Sequence, residues 1–384
     1  MANFFGDNVF KFGIFGLNCA GGLTPSIAPE RWRADWNEMV EVAKLADEAG
    51  VEFMLPIAKW HGLGGKADMW GRSFETFTQA AALAMITRRI GIFVTAHVSL
   101  ITPTFAAKAI ATVDHASGGR AGLNIVCGWN PDEFKPHGIK LDGEHRYERG
   151  LQWYRIFAKL LEGGPKFDWK SKYFDLEGLV TDPLPLRPPP IMSAAQSGDG
   201  QGFAAEIADI LFTSLQDIDV TSRTVQHLRA LAAKYGRKPD VYVQTQFVCK
   251  PTRKEAEDYA HYYAVEMADA DALEYFARQR SSTMSKSTKG RGSEADRELA
   301  ATLSGQKKRR FPGMMAGTYP IIGTPDDIVA ELQKISAGGI SGSTLVFLNY
   351  LQEMPYFVQE VLPRMEKAGL RSKICGGGLM RPND

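Results

Sequence analysis

The fold can be predicted from one stretch of the chain, IGIFVTAHVSLITPTFAAKAIATVDHASGGRAGLNIVC, which covers Ile90–Cys127. Its two apolar runs, Ile90–Val98 and Ala121–Cys127, are nearly continuous in hydrophobicity, which is typical of strands buried on both faces of a parallel sheet. Between them, Thr104–Ser117 has the spacing of an amphipathic helix, and Gly118 follows where a left-handed helix end favours glycine. The stretch therefore predicts two parallel strands joined by a right-handed helical crossover.

The same alternation of strand and helix patterns continues along most of the chain. Strands are predicted at Lys11–Leu17, Val51–Ile57, Ile90–Val98, Ala121–Cys127, Ile191–Ala195, Ile210–Leu215, Val241–Val248 and Ser343–Leu348. Helices are predicted at Glu30–Ala49, Ser73–Thr87, Thr104–Ser117, Arg146–Leu161, Gly202–Ala208, Thr221–Tyr235, Pro325–Ala337 and Pro355–Ala368. Eight strand–helix units in 384 residues favour a closed (β/α)8 TIM barrel with insertions. An open doubly wound sheet is disfavoured because no G-x-G-x-x-G motif follows the first strand.

Two segments interrupt the repeat within the single barrel domain that we predict over residues 1–370. The first insertion, at about 163–190, is rich in proline and is expected to contain a small hairpin around Lys172–Leu179. The second, at about 281–315, is polar and basic, and it follows a long helix predicted at Lys254–Arg278. Long loops of this kind are functional lids or disordered segments, and a basic run is also typical of a solvated face. Residues 371–384 are expected to form a flexible tail.

Composition and charge exclude several classes of function. The 45 Lys and Arg residues nearly balance the 44 Asp and Glu residues, which gives no electrostatic reason to expect nucleic acid as a partner. No apolar run is long enough to span a membrane and no leader pattern is found, so we expect a cytoplasmic protein without membrane contact. The four cysteines lie far apart and the histidines form no ligand pairs, so neither disulfides nor a metal site are expected.

A glycine-rich segment follows the predicted fifth strand and precedes a helix. It reads Gln196-Ser197-Gly198-Asp199-Gly200, in which backbone N–H groups and the Ser197 hydroxyl could approach an anion. One interpretation is a phosphate-binding loop at the start of the helix. The other is an ordinary strand-to-helix turn with a capping side chain, and the spacing alone does not separate the two.

Polar side chains also occur at the predicted carboxyl ends of strands, where barrels carry their active sites. Asn124 lies inside an otherwise apolar strand, and a buried amide needs hydrogen-bond partners. It could bond Thr95 on the neighbouring strand, which would be structural, or it could face a planar heterocycle rich in carbonyls and N–H groups. Lys59, after the second strand, is a candidate anion-binding or Schiff-base lysine, although a lysine in this position is commonly just exposed.

Four segments resemble a known family: IAKWHGLGGKADMW (Ile57–Trp70), ATVDHASGGRAGLNIVCGWNPDEF (Ala111–Phe134), HRYERGLQWY (His145–Tyr154) and AAQSGDGQGFAAEIAD (Ala194–Asp209). With them, the chain resembles the bacterial-luciferase-like flavin-dependent monooxygenases, and within these the pyrimidine (uracil) monooxygenase group. The core of the second segment, D-x-x-S-G-G-R-x-x-x-N-x-V-x-G-W, is quite specific, and the match covers most of residues 10–365.

The resemblance implies a (β/α)8 barrel enzyme that uses reduced FMN, with O2 as co-substrate. It further implies a two-component system, in which a separate NAD(P)H:flavin reductase supplies the reduced FMN, and a homo-oligomer, either a dimer or a tetramer. The implied substrate is a small planar N-heterocycle or amide whose ring is opened. The resemblance leaves two other chemistries open, oxidative C–S cleavage of a sulfone or alkanesulfonate and a deazaflavin-dependent reductase, besides a non-catalytic flavin-binding barrel.

The resemblance also assigns residues by position. The residues implied to bind the cofactor are Ala58, Lys59, Asn124, Glu133, Arg146, Tyr147 and Ser197, and the glycine-rich segment adds Gly198. Those implied to act in catalysis are Asn124, Thr95 and Lys59, of which Thr95 and Asn124 would lie on the flavin face where oxygen reacts. The chain departs from the family at Ile57-Ala58, where Met-Ile is common, and in the following Trp60-His61. Those positions are expected to border the substrate, so uracil itself is not implied.

Overall fold

The computed structural model describes residues 6–141, 145–194, 198–287, 310–315 and 317–372. The strands are β1 Lys11–Phe15, β2 Phe53–Leu55, β3 Gly91–His97, β4 Ala121–Val126, β5 Phe167–Lys170, β6 Asp175–Leu179, β7 Ile191–Ser193, β8 Ile210–Thr213, β9 Asp240–Cys249, β10 Thr318–Gly323 and β11 Gly342–Val346. The helices are α1 Trp36–Glu48, α2 Thr76–Ala84, α3 Pro103–Ser117, α4 Arg146–Glu162, α5 Gly198–Ile207, α6 Ile218–Ala233, α7 Arg253–His261, α8 Ala270–Ser287, α9 Pro325–Ala337, α10 Tyr350–Glu360 and α11 Leu362–Lys367.

Eight parallel strands close into the predicted barrel. They pair in the order β9-β11-β1-β2-β3-β4-β7-β8, and β8 pairs in turn with β9 to complete the ring. Because the register of β3 and β4 sets Thr95 opposite Asn124, these two candidate site residues lie side by side at the carboxyl end of the barrel. The prediction of a (β/α)8 fold is therefore confirmed.

A ninth strand of this sheet, β10, was not predicted. Residues 240–243 of β9 pair with β8, whereas residues 244–249 extend beyond the short β8 and pair with β10 along the same edge. The sequence of β10, TYPIIG, contains Pro320, which argues against a strand when read alone. The long β9 thus provides an edge on which β10 pairs, although the sequence of β10 does not predict a strand.

Aromatic rings fill the lower part of the barrel because glycines leave room for them. The rings of Phe53 and Tyr242 stack at 5.5 Å between centroids, and Phe93 meets Phe53 edge-on at 5.4 Å. A Cβ atom added at Gly13 would lie 2.0 Å from the Phe53 ring, and one added at Gly122 would lie 2.6 Å from the Phe93 ring. Since side chains alternate along a strand, residues 95 and 97 of β3 point into the barrel above Phe93.

Several helices begin or end elsewhere than predicted. The helix predicted from Glu30 begins at Trp36 because the Asp35 side chain caps it, accepting from two backbone N–H groups. The helix predicted at Lys254–Arg278 is split: α7 ends at His261, a wide turn follows at Tyr262–Glu266, and α8 begins at Ala270.

The last predicted helix, Pro355–Ala368, is also wrong in its extent. Its place is taken by α10, which begins at Tyr350 after an Asn349 cap and contains Pro355, and by the separate α11. Proline ordinarily marks a helix start, but the Asn349 carboxamide oxygen accepts from the N–H groups of Leu351 and Gln352 and fixes the beginning five residues earlier, at Tyr350.

The first insertion contains the predicted hairpin, formed by antiparallel β5 and β6. At the opposite end of the barrel from the candidate site, Arg371 is buried, donates to the Gly50 carbonyl at 2.9 Å and lies 3.7 Å from the buried Glu52 carboxylate. The predicted flexible tail therefore has an anchored first residue, and its residues 373–384 lie outside the described ranges. No helix in the described part of the chain is both long and apolar enough to cross a membrane.

Candidate active site

Thr95 and Asn124 form a buried hydrogen-bonded pair across β3 and β4. Asn124 Nδ2 donates to Thr95 Oγ1 at 3.1 Å, and the Thr95 hydroxyl donates to the Pro56 carbonyl at 2.6 Å. Because the threonine proton is committed to Pro56, Thr95 Oγ1 acts as the acceptor of the amide N–H, which fixes the orientation of the Asn124 carboxamide. Asn124 Oδ1 is left buried without a hydrogen-bond partner among the described residues.

A second buried group joins Lys59, Glu133 and His97. The Lys59 ammonium forms an ion pair with Glu133 Oε1, and both side chains are almost fully buried. His97 Nε2 lies 3.6 Å from Glu133 Oε2 and 3.2 Å from the Ala58 carbonyl oxygen. Glu133 belongs to a short turn, Pro131–Glu133, that the Asn130 side chain caps just after β4. The loops after β2 and β4 thus bring the predicted residues Ala58, Lys59 and Glu133 together, beside His97 at the end of β3.

Aromatic rings surround the Lys59 ammonium. Its Nζ lies 4.3 Å from the ring centroid of Trp70 and 4.8 Å from that of Trp129. Both indoles pack edge-on against Phe276 of α8. A cation so enclosed interacts strongly with its ion-pair partner because little water screens the charges.

Helix α8 is held over this part of the barrel by polar contacts with the loop after β4. The Tyr275 hydroxyl donates to Asp132 Oδ2 at 2.7 Å, and Gln279 Nε2 donates to the same oxygen at 2.8 Å. Burial, followed by the hydrogen bond to Asp132, raises the pKa of Tyr275 to about 12, so the hydroxyl keeps its proton as a donor. These contacts could not be predicted from the sequence because they join residues more than a hundred positions apart.

The sequence assigns no role to His97, because the histidines form no metal-ligand pairs. Among the described residues, no three His, Cys, Asp or Glu side chains are grouped as metal ligands. Burial lowers the pKa of His97, and Glu133 opposes the shift only in part, so the imidazole is neutral at pH 7. The sequence does contain one indication that His97 belongs to the site. His97 follows Thr95 by two residues on the same strand, and side chains two apart on a strand point to the same side, here into the barrel.

Replacing His97 by glutamine is expected to flatten the pH dependence of stability below about pH 6.5, the pKa of an unfolded histidine. In the wild type the folded pKa is lower, so the unfolded chain binds more protons and the free energy of unfolding falls as the pH is lowered. The limiting slope is about 1.4 kcal/mol per pH unit. Urea denaturation of the wild type and of His97→Gln at several pH values measures this slope.

The matched control for this prediction is His227→Gln, since His227 is exposed on α6. That variant should keep the wild-type pH profile. Parallel profiles for wild type and His97→Gln would show that His97 titrates alike in the folded and unfolded chains.

The third part of the site lies at the start of α4. Arg146 is buried, donates to the Gly128 carbonyl at 3.1 Å and to the Tyr147 hydroxyl at 3.3 Å, and its Nε has no hydrogen-bond partner among residues that the structure describes. The Tyr147 ring contacts the Phe203 ring of α5 at 5.7 Å, so the starts of α4 and α5 are neighbours.

The predicted glycine loop is partly helical. Gly198 is the first residue of α5, which therefore begins four residues before the predicted Gly202, and Gly200 and Gly202 belong to its first turns. The backbone N–H groups at such a helix start are unpaired within the helix and favour an anion. Ser197, the other residue predicted here, lies outside the described residues.

The sequence profile of the luciferase-like monooxygenase family matches residues 10–342, and the protein belongs to this family. The pyrimidine monooxygenase RutA of Bradyrhizobium sp. is 29% identical over 356 residues, which cover 91% of this chain and 95% of the relative. RutA of Methylobacterium radiotolerans is 30% identical over 353 residues, covering 90% of this chain and 88% of the relative. The resemblance read from the four sequence segments is thereby confirmed.

Solved structures share the fold over nearly the whole chain. Long-chain alkane monooxygenase LadA has a TM-score of 0.80 at 22% identity and covers 96% of this chain and 94% of its own. Riboflavin lyase RcaE, solved with modified FMN and riboflavin, has a TM-score of 0.80 at 18% identity, covering 94% and 92%. The oxygenating constituent of 3,6-diketocamphane monooxygenase from Pseudomonas putida, in complex with FMN, has a TM-score of 0.67 at 18% identity, covering 95% and 99%. At these identities the likeness shows the fold alone.

Proposed function

We propose that this protein is an FMN-dependent monooxygenase that uses reduced FMN and O2 to oxidise a small planar N-heterocycle or amide, with opening of the ring. The observation that carries the proposal is the set of buried polar atoms without partners at the carboxyl ends of β3 and β4 and at the start of α4, among them Asn124 Oδ1 and Arg146 Nε. Buried polar groups are ordinarily hydrogen-bonded, so these atoms favour a polar ligand at this end of the barrel.

The residues present fit FMN. The Arg146 guanidinium, the Tyr147 hydroxyl and the helix start at Gly198 are donors suited to a phosphate, and Ser197 is the fourth residue assigned to it. The Asn124 carboxamide offers both a donor and an acceptor to a flavin ring, and Ala58, Lys59 and Glu133 complete the proposed contacts. When bound, reduced FMN supplies the electrons that activate dioxygen.

The protein's own part is to bind and orient the cofactor and the substrate and to exclude water from the site. The Lys59–Glu133 ion pair and the Thr95–Asn124 pair hold polar side chains in fixed orientations inside the barrel. The Lys59 ammonium faces the Trp129 ring, which packs against Phe276 of α8, and apolar cover that excludes water strengthens the electrostatic interactions of the ion pair. The proposed lid at 281–315 would continue this cover, and its residues 288–309 lie outside the described part of the chain.

The proposal includes two partners. A separate NAD(P)H:flavin reductase would supply the reduced FMN, and the chain would assemble as a homo-oligomer, a dimer or a tetramer. Support for both comes from the family membership, and the missing dinucleotide fingerprint supports the first.

Oxygen uptake tests the function. Photoreduced FMN is mixed under air with the protein and one of several compounds: uracil, a lactam, dimethyl sulfone, or an alkanesulfonate. We expect oxidation of a ring substrate, with product identified by mass spectrometry. Oxidation of the sulfone or sulfonate instead would replace the ring chemistry by C–S cleavage. A protein that binds FMN but oxidises nothing in the panel would support a non-catalytic flavin barrel. NADH oxidation without an added reductase, proportional to this protein, would contradict the two-component scheme.

Arg146→Ala is expected to weaken FMN binding by about 1.5–3 kcal/mol, the contribution of a hydrogen bond to a charged group. The reason is that the substitution removes the buried cation assigned to the phosphate. Titration of FMN fluorescence measures the dissociation constant. Arg155→Ala, on the same helix but in an exposed ion pair with Glu206, should bind FMN as the wild type does. Unchanged affinity in Arg146→Ala would remove this residue from the phosphate site.

A further inference from the structure

Three buried acceptor atoms at the mouth of the barrel have no donor among the described residues: Asn124 Oδ1, Glu133 Oε2 and His97 Nδ1. All belong to side chains that are at most 6% exposed. An unpaired acceptor in a buried place costs free energy, so a group of them favours a ligand that carries several N–H donors.

The hydrogen bonds around these atoms establish that they are acceptors. Asn124 must present its NH2 group to Thr95, because the Thr95 proton is used by Pro56, so its oxygen is the free atom. Glu133 is paired with the Lys59 ammonium and has only acceptor oxygens when ionised.

The hydrogen bonds of His97 likewise identify its Nδ1 as an acceptor. Its Nε2 faces the Ala58 carbonyl oxygen at 3.2 Å and must carry the proton, so Nδ1 of the neutral ring is a bare lone pair. Burial lowers the pKa of His97, and the nearby Lys59 and His137 lower it further. Glu133 raises this pKa but only offsets part of the shift, so the ring stays neutral. Phe134 holds the ring edge-on at 5.3 Å, so the imidazole has a fixed orientation.

We propose that His97 contacts the substrate and determines specificity, its Nδ1 accepting a hydrogen bond from an N–H of the substrate ring. The inference rests on the proposed function. Position 97 is not among those assigned to FMN, whereas Asn124 and Glu133 are, so His97 is the acceptor left for the substrate. It lies next to Glu133 and Lys59, beyond Thr95 on β3. A sulfone or an alkanesulfonate has no N–H to offer this atom.

The experiment combines substitutions at His97 with methylation of the ligand. Asparagine places an amide oxygen near the position of Nδ1, glutamine places an amide N–H near that of Nε2, and phenylalanine keeps only the ring. Binding of uracil, 1-methyluracil and 3-methyluracil to the FMN-loaded protein is measured by calorimetry, and kcat/KM with reduced FMN is measured separately. Dissociation constants for FMN are determined for each variant.

In the wild type, methylation of one ring nitrogen is expected to weaken binding about 10- to 100-fold, as the loss of one hydrogen bond to a buried acceptor does. His97→Phe and His97→Gln should lose this discrimination to within about 3-fold, and His97→Asn should retain most of it. Nitrogen-15 spectra of labelled histidine should show His97 Nδ1 accepting a hydrogen bond when uracil is added and not when the discriminated methyl derivative is added.

Equal discrimination between uracil and its methyl derivatives in wild type and His97→Phe would overturn the inference. A large loss of FMN affinity in His97→Phe with that discrimination intact would also overturn it, since His97 Nδ1 would then bind the flavin. Failure of the wild type to bind any of the three rings would overturn it as well. Turnover without discrimination would leave the proposed function standing and remove His97 from it. Binding that discriminates between the rings, without their oxidation, would leave His97 as a ligand contact and would contradict the proposed function.

Discussion

Replacing Glu133 by leucine is expected to destabilise the fold by about 3–5 kcal/mol, the usual cost of leaving one buried charge without its partner. Glu133 is 1% exposed and Lys59 is 8% exposed, so water cannot take over the lost interaction. The rings of Trp70 and Trp129 attract the ammonium but replace only part of what the carboxylate supplies. The free energy of unfolding in urea, compared with that of the wild type, measures the effect.

The double variant Lys59→Met, Glu133→Leu should recover most of the lost stability, because an apolar pair of similar volume is often as stable as a buried ion pair. Asp258→Asn, in the exposed pair of Lys254 and Asp258 on α7, should change stability by less than about 0.5 kcal/mol. A loss below about 1 kcal/mol in Glu133→Leu would mean that Lys59 finds water or another partner. Since apolar residues would serve stability equally well, the ion pair is better explained by ligand binding than by folding.

The barrel could be predicted from the sequence because its signals are local. Each barrel strand is an apolar run followed by an amphipathic helix, and this is visible within about ten residues, as at β3 and β4. The pairing of Thr95 with Asn124 also follows, since equivalent positions on neighbouring parallel strands lie side by side. By contrast, β10 depends on the unusual length of β9, and Pro320 in its sequence indicates a loop.

The candidate site could be predicted only in part. Lys59 was a candidate both from its place after the second strand and from the family resemblance, and Glu133 from the resemblance alone. Nothing in their local sequence indicates an ion pair between residues 74 positions apart. His97 looked like an isolated histidine, because its partners come from the loops after β2 and β4. Tyr275 and Phe276 belong to α8, whose position over the barrel results from tertiary contacts with Asp132 and Trp129. Such contacts are set by the fold and become visible only with it.

The largest effect on turnover is expected at Asn124. One N–H of its carboxamide is bound by Thr95, and the second remains for a ligand or for negative charge that develops on oxygen during the reaction. Removing one preorganised donor of this kind typically costs about 2.7–4 kcal/mol in the transition state, or about 100- to 1000-fold in kcat. Asn124→Ala is therefore expected to bind FMN to a useful degree while its turnover falls by that factor, measured with photoreduced FMN and O2.

Thr95 separates this catalytic interpretation from a structural one. Thr95→Val removes the oxygen that orients Asn124, whereas Thr95→Ser keeps it together with the hydroxyl that donates to Pro56. If the pair acts in catalysis, Thr95→Val should lose turnover to an extent approaching Asn124→Ala, and Thr95→Ser should stay within about tenfold of the wild type, all three proteins remaining folded. If the pair only satisfies two buried polar groups, Thr95→Val and Asn124→Ala should lower the free energy of unfolding, and the folded fraction should turn over at nearly the wild-type rate. Measuring kcat and urea denaturation on the same preparations decides between them, because the first interpretation lowers kcat in the folded protein and the second leaves it unchanged.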